Sequence, residues 1–313
     1  MMKHSEVRKD YIQDKYVIIA PHRTKRPHDT IQNVPQHPEH NIVDSVFSKT
    51  NLKYEKALLT IGPEKNWHLK VLNNKYPAVS LNNPKAYGRQ EVVVESPDPN
   101  MHMDQMPVTQ IERILQSYAI RTTEISKNKK IEYILIFKNN GGTAGASLHH
   151  PHSQIFATDF VPPHLLDKSQ KQQAYKLKTG RCVYCDVIKK ESKGPRLVYK
   201  DKHVIAFTPY ASMYNYEVWI MPLAHHDNIT DLSNIEIASW ATILKHVLQR
   251  IDKLNLPYNY YFHQVINDND QHLYMKIAPR GTVWAGVEIG SGLVINPIDP
   301  DEAAKYYRQG LKK

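Results

Sequence analysis

Histidines two residues apart, joined by a proline and preceded by glycines, carry the strongest chemical signal in this sequence. The string runs NNGGTAGASLHHPHSQ, from Asn139 to Gln154. Gly141, Gly142 and Gly145 let a backbone come close to a ligand. Asn139 and Ser147 offer hydrogen bonds to phosphate or sugar oxygens. In an extended segment alternate residues share a face, so His150, His152 and Gln154 form a row. A histidine in such a row can attack phosphorus once its other ring nitrogen has a fixed acceptor, such as a backbone carbonyl. Glycine amides and a serine hydroxyl would then stabilise charge on the phosphoryl oxygens. The bland alternative is a Gly-rich turn with incidental imidazoles, and the completeness of the string argues against it.

The elements that must position this row repeat along the chain. EVVVESPDP from Glu91 and EVWIMPLAH from Glu217 are short β-like runs, each followed by a Pro-containing turn, at an offset of 126. Each leads to a helical pattern with a capping box, Thr109 to Glu112 in the first half and Ser233 to Glu236 in the second. The first apolar stripe is Ile111, Ile114, Leu115, Tyr118, Thr122 and Ile125. The second is Ile237, Ala241, Leu244, Leu248 and Ile251, and both have the helical period. A β-rich run follows each helix, IEYILIF from Ile131 and PYNYYFHQV from Pro257. Then comes a histidine segment, HHPHSQIFA or QHLYMKIAP. Each half thus predicts an α+β unit, an antiparallel sheet with a helix. Two such units can join edge to edge or pack across a pseudo-twofold. YVIIA from Tyr16 predicts a further strand, and DPDEAAKYYRQGL a final helix. The expected division is 1–163 and 180–313, connected by the polar stretch 164–179.

Cys182 and Cys185 are the only cysteines. They exclude a disulfide framework and fit a reducing cytoplasm. A redox pair would want thioredoxin-like surroundings, which are absent. Zinc wants about four N/S ligands. His225, closing the second strand-turn, and His272, in the second histidine segment, complete a Cys₂His₂ set, with His226 the weaker alternative to His225. The competing reading is two buried thiols beside ordinary histidines.

The whole string from Asn139 to Gln154 resembles the signature of galactose-1-phosphate uridylyltransferases, two-repeat members of the histidine-triad superfamily. YVIIAPHRTKRPHD resembles the family's N-terminal block, LNNKYPAV from Leu72 its nucleotide-contacting segment, and GVEIGSG from Gly286 its sugar-contacting segment. PHSQ together with EIGSG is also similar to the related ADP-glucose phosphorylases. The resemblance implies two histidine-triad-like repeats related by a pseudo-twofold. It makes His152 the nucleophile toward the α-phosphate of a nucleotide sugar, with release of sugar 1-phosphate from a covalent nucleotidyl-histidine. Gln154 matches the glutamine that contacts phosphoryl oxygens. Asn139, Gly145 and Ser147 match positions around the phosphates. Arg23 and Arg26 match arginines near the phosphates or the incoming substrate, Asn74 a nucleotide-side position, and Glu288 a carboxylate on sugar hydroxyls. The family builds these contacts from two subunits, so a homodimer with shared sites is implied. Zinc at matching second-half positions is also implied. In the first half the usual metal ligands align with Asp44, Phe47 and Pro99. Only His150 keeps a ligand type, so that site is expected to be lost and His150 held another way. Leu273 and Tyr274 stand where Pro151 and His152 would, so one nucleophile per chain is expected.

Composition narrows the partners. Lys and Arg number 41 against 31 Asp and Glu, a net charge of +10. That suits small phosphorylated ligands as well as nucleic acid or an anionic surface. No run of 18 apolar residues exists, so no membrane span is expected, and the first ten residues lack the apolar core of a secretory signal. The expected partners are a nucleotide sugar and a sugar 1-phosphate. The leading reading is exchange of UMP between UDP-glucose and galactose 1-phosphate. Its close rival is phosphorolysis of ADP-glucose, or adenylyl transfer, on the same fold. A non-catalytic nucleotide- or RNA-binding module is the rival of another class, motivated by the charge and 19 tyrosines. Strand-like placement of the aromatics argues against nucleic acid.

Overall fold

The alternating apolar stripes and β-rich runs resolve into two sheets and six helices in a computed structural model that describes residues 4–25, 45–52, 56–265 and 270–311. Arg26 and Asp44 lie outside the described residues. The chain begins with strands β1 (Glu6–Lys9), β2 (Tyr16–Ile19), β3 (Leu59–Ile61), β4 (Leu69–Asn73) and β5 (Gly88–Val94). Helix α1 (Val108–Ser126), strands β6 (Tyr133–Asn140) and β7 (His152–Thr158), and helices α2 (Pro163–Thr179) and α3 (Val183–Glu191) follow. The second half holds β8 (Leu197–Lys200), β9 (Val204–Phe207), β10 (Val218–Pro222), α4 (Asn234–Asp252), β11 (Tyr258–His263) and β12 (Tyr274–Pro279). It ends with α5 (Gly286–Ser291), β13 (Val294–Asn296) and α6 (Pro300–Arg308).

Ten strands form one sheet in the order β3-β4-β5-β7-β6-β11-β12-β10-β9-β8. Read from either edge, the order is a hairpin, the strand before the long helix, the histidine strand, and the strand between helix and histidines. The halves meet at β6 and β11, antiparallel, with Tyr258 opposite Asn140 and Tyr261 opposite Phe137. They therefore join edge to edge, and each unit covers an edge the other would leave unpaired. The offset of 126 maps the bounds of α1 onto those of α4.

Helices α1 and α4 lie against each other on one face of the sheet. All eleven residues of the two expected stripes are buried. Each aliphatic side chain removed from water there is worth about 1.5–3 kcal/mol. Phe262 takes the edge of Tyr118 from α1 at 5.9 Å and packs with Trp240 of α4 at 5.7 Å, so one strand residue knits both helices. Arg121 forks onto the fully buried Glu91 with two 2.8 Å bonds and ties α1 to β5.

Helix α4 opens with the expected capping box, the Ser233 hydroxyl and the Glu236 carboxylate exchanging bonds with each other's backbone. Helix α1 does not. It starts after Pro107 with no side-chain cap, and Thr109 lies inside its first turn. The Pro107 carbonyl accepts from the amides of Gln110 and Ile111, so the proline sets the entry in place of a threonine cap. The polar connection is itself helical: α2 ends at Gly180, whose φ of +70° closes the helix.

Strands β1, β2 and β13 form a separate small sheet. Its parallel β2–β13 pair sets Val17 to Ile19 beside Val294 to Asn296, and the Ala20 amide donates to the Asn296 carbonyl at 2.9 Å. The hairpins β3–β4 and β8–β9, too short to show a period, are additions to the expected strand, helix, strand, strand pattern. No helix among the described residues is long and apolar enough to cross a membrane.

Candidate active site

His152 is the first residue of β7 and is 8% exposed. Its Nδ1 lies 2.8 Å from the His150 carbonyl, so Nδ1–H donates and the lone pair sits on Nε2. Burial, only partly offset by that bond, lowers its pKa to about 4. The imidazole is thus neutral at pH 7, the form that can attack.

Both ring nitrogens of His150 have partners within the protein. Its Nε2 donates to the Ser96 carbonyl at 2.7 Å, and its Nδ1 accepts from the Ser45 hydroxyl at 2.6 Å. Both ring nitrogens are engaged, and burial lowers its pKa to about 4 as well. Phe47 stands edge-on to His150 and tilted against His152, both at 5.7 Å. The tetrapeptide that aligns with a metal-binding CxxC therefore supplies a serine and a ring.

Gln154 follows on the same face. Its Oε1 accepts from Gln90 Nε2 at 2.8 Å and, weakly, from Asn74 Nδ2 at 3.5 Å. Gln90 Oε1 in turn accepts from the Ala78 amide at 2.9 Å. This relay fixes the orientation of the Gln154 amide and leaves its NH₂ group as the donor toward a ligand. Sequence reading missed Gln90. Ser153 points the other way, where its Oγ accepts from Tyr118 OH at 2.6 Å; Tyr118 OH also lies 2.7 Å from Tyr260 OH. The serine of PHSQ therefore serves the core beneath the helices.

The glycine loop is built on Asn139. Asn259 Nδ2 donates to Asn139 Oδ1 at 2.8 Å and to the Ala144 carbonyl at 2.7 Å, across the seam between halves. Asn139 Nδ2 reaches the Gly145 carbonyl at 3.4 Å. Gly145 has φ +85°, which an L side chain rarely adopts. Ser147 is exposed at the loop's rim.

Arg23 and Glu288 form a second group. Arg23 sits in a 3₁₀ turn after β2, exposed. Glu288 lies in the first turn of α5 and accepts from the Ala285 amide at 2.9 Å; that bond, with help from the Arg23 charge, lowers its pKa. Among the described residues no hydrogen bond or ion pair joins this group to His152 or Gln154.

In the second half Tyr274 and Lys276 occupy the places of His152 and Gln154. Lys276 pairs with Glu217 at 2.8 Å, where the first half has the Gln90–Gln154 bond. Register puts Trp219 opposite Lys276 and Val92 opposite Gln154. Glu217 therefore corresponds to Gln90, and the offset slips by one from the 126 that aligns the helices. Lys168 of α2 donates to the Tyr274 hydroxyl and lies over its ring. Burial pushes this ammonium down to about 7. Helix α2 thus fills the second copy of the cleft.

Cys182, Cys185 and His225 form a cluster that could hold a metal ion, with ligand atoms within 4.8 Å of one another. Cys185 Sγ lies 3.4 Å from His225 Nδ1. A hydrogen bond between the two thiols holds Cys182 down, to about 6, and pushes Cys185 up. His272 lies outside that cluster, its ring 5.1 Å from that of His225. Its Nδ1 donates to the Leu273 carbonyl at 3.1 Å, and its buried Nε2 has no hydrogen-bond partner among the described residues. His226 is committed to Glu236 of α4 at 2.9 Å.

A two-repeat antiparallel sheet with one buried, neutral His-Pro-His row defines an enzyme of the nucleotidyltransferase class with a histidine-triad-like fold. Comparison gives the family. Galactose-1-phosphate uridyl transferase, N-terminal domain, matches residues 1–162, and the C-terminal domain of the same family matches 168–280. The chain belongs to the galactose-1-phosphate uridylyltransferase family. It is 32% identical to ADP-glucose phosphorylase of Arabidopsis thaliana over 97% of this chain and 92% of that protein. It is 30% identical to galactose-1-phosphate uridylyltransferase of Thermotoga maritima over 97% of this chain and 98% of that one. A crystal structure of an Arabidopsis thaliana ADP-glucose phosphorylase with bound ADP-glucose aligns with TM-score 0.87 and 30% identity, covering 98% of this chain and all of that one.

Proposed function

We propose that the protein transfers a nucleotidyl group from a nucleoside diphosphate sugar to a phosphate-bearing acceptor through a covalent intermediate on His152. The observation that carries the reading is the tautomer. Nδ1 is committed to the His150 carbonyl, the ring is neutral, and Nε2 holds the reacting lone pair. In the first step Nε2 bonds to the α-phosphorus and the bond to the bridging oxygen breaks. Sugar 1-phosphate leaves with that electron pair. In the second step an acceptor phosphate oxygen displaces Nε2 and the imidazole is regenerated. A phosphate leaving group is a weak base and departs without a proton, so no general acid is required. The Gln154 amide donates to a phosphoryl oxygen and cannot take a proton from water, which favours transfer over hydrolysis. The His150 carbonyl, accepting from Nδ1–H, stabilises the positive charge on the ring while the intermediate lasts.

Two donors compete. The similarity to the ADP-glucose phosphorylase, at 32% identity and TM-score 0.87, favours ADP-glucose with inorganic phosphate as acceptor. The family match over both halves favours UDP-glucose with galactose 1-phosphate. Ser153 does not choose between them, because its hydroxyl faces Tyr118. Initial rates with each donor–acceptor pair test the choice. We expect ADP-glucose with phosphate to give the higher kcat/KM; a reversed ratio returns the assignment to uridylyl transfer.

By resemblance to the family, Arg23 and Glu288 belong to a homodimer in which one subunit completes the other's site. Arg26 belongs to the same reading by resemblance. Cys182, Cys185, His225 and His272 would hold a structural zinc. Two thiols, two imidazoles and the orphaned Nε2 of His272 fit that ion, and zinc there would fasten α3 to the turn after β10 and the start of β12. The free thiols suit a reducing cytoplasm.

A further inference from the structure

Lys138 and Glu95 have no part in the chemistry described above, yet they lie directly beneath the nucleophile. Lys138 is 1% exposed and Glu95 0%. The ammonium lies 2.5 Å from Glu95 Oε2 and also donates to the main-chain carbonyl of His152 at 3.1 Å. The same short segment grips the preceding residues. The Glu95 amide donates to the Pro151 carbonyl at 3.1 Å, and the Ser96 carbonyl accepts from His150 Nε2 at 2.7 Å. Residues 150, 151 and 152 are thus fixed at one point each. Gln110 of α1 anchors the gripping segment by donating to the Glu95 carbonyl at 2.7 Å.

Taking two charges out of water is costly, and an apolar pair of similar volume usually serves stability as well or better. The second half has made that replacement. Phe137 lies opposite Gln154 as Tyr261 lies opposite Lys276, so Lys138 corresponds to Phe262. On the neighbouring strand Val94 lies opposite His152, and the register of β10 on β12 makes Pro222 the counterpart of Glu95. The half without a nucleophile folds with a phenylalanine and a proline in these places. The ion pair therefore accompanies the chemistry and is not demanded by the fold.

We propose that Lys138, held by Glu95, is a positioning residue for nucleotidyl transfer: it fixes the His152 main chain so that Nε2 stays on its line of attack. The proposal rests on His152 being the nucleophile. The pair also bears on protonation. The groups facing His152 among the described residues are the His150 carbonyl and ring, the Phe47 ring, and Lys138 with Glu95. After burial, the Lys138 charge is what lowers the His152 pKa.

The test measures the rate of nucleotidyl-His152 formation by intact mass after rapid quenching, with ADP-glucose and with UDP-glucose. Lys138→Met alone would strand a buried carboxylate, so the variant is Lys138→Met with Glu95→Leu, an apolar pair as in the second half. It should fold, bind the donor with unchanged Kd, and form the adduct at least about tenfold more slowly. The acid limb of the rate should move up toward the ordinary histidine value near 6.5, and Lys138→Arg should recover part of the rate. A folded double variant with the wild-type rate and pH profile overturns the proposal, as does a loss confined to Kd. If the wild type forms no adduct, the nucleophile assignment fails instead. NMR titration of the His152 ring then still reads the pair, and equal values in wild type and variant contradict it.

Discussion

Two serines do at residue scale what a metal ion could do. Ser45 and Ser96 occupy both nitrogens of His150, and the His150 carbonyl then fixes the tautomer of His152. Ser45→Ala should cost about 1–2 kcal/mol of stability, because it leaves a buried ring nitrogen unpaired. It should slow adduct formation more than it weakens donor binding; urea unfolding and single-turnover rates check both. The row His150, His152, Gln154 was legible because a strand's period of two is visible in any sequence. Its supports were not. Ser45 lies 105 residues from His150, and Gln90 meets Gln154 only through the register of β5 on β7. Gln90→Leu removes the donor that orients the Gln154 amide. It should lower kcat with little change in Kd, and an unchanged kcat would remove Gln90 from the account.

At the scale of elements, the repeat was readable where burial is one-sided. Every residue of the expected stripes of α1 and α4 is buried, while Trp240, Ile243 and Val247 widen the buried face of α4 beyond its stripe. The cap of α1 was misread because a threonine and a glutamate at capping spacing look the same whether or not a proline already sets the entry. The hairpins β3–β4 and β8–β9 were missed because three to five residues carry no measurable period. Helix α2 read only as a polar connection because it buries only Leu165, Lys168 and Gln172. It is a plug whose lysine occupies the second copy of the cleft. The metal cluster belongs to this scale too, since it would join three elements. Cys185→Ser should lower bound zinc and thermal stability together. Native protein carrying well under one zinc per chain would show that the thiols and histidines pack without it.

For the molecule as a whole, charge and assembly set the testable behaviour. His150 and His152 are held neutral with pKa values of about 4, against an ordinary value near 6.5. Below that value the unfolded chain takes up protons that the folded chain refuses. Stability should therefore be flat above about pH 7 and fall as pH drops from about 6.5 toward 4. Urea midpoints across that window check the sign; a midpoint that rises on acidification contradicts it. Shared sites predict complementation. His152→Asn and Arg23→Ala, each inactive alone, should regain activity when unfolded and refolded together, because a mixed dimer holds one intact site. Continued inactivity of the mixture would place Arg23 outside the shared site.

All of the transfer chemistry depends on the covalent step. Intact mass after incubation with ADP-glucose or UDP-glucose, followed by peptide mapping, tests it most directly. The predicted result is one nucleotidyl group per chain, AMP or UMP according to the donor, located on His152 and absent from His152→Asn. Turnover without any adduct, or an adduct on another residue, would contradict it.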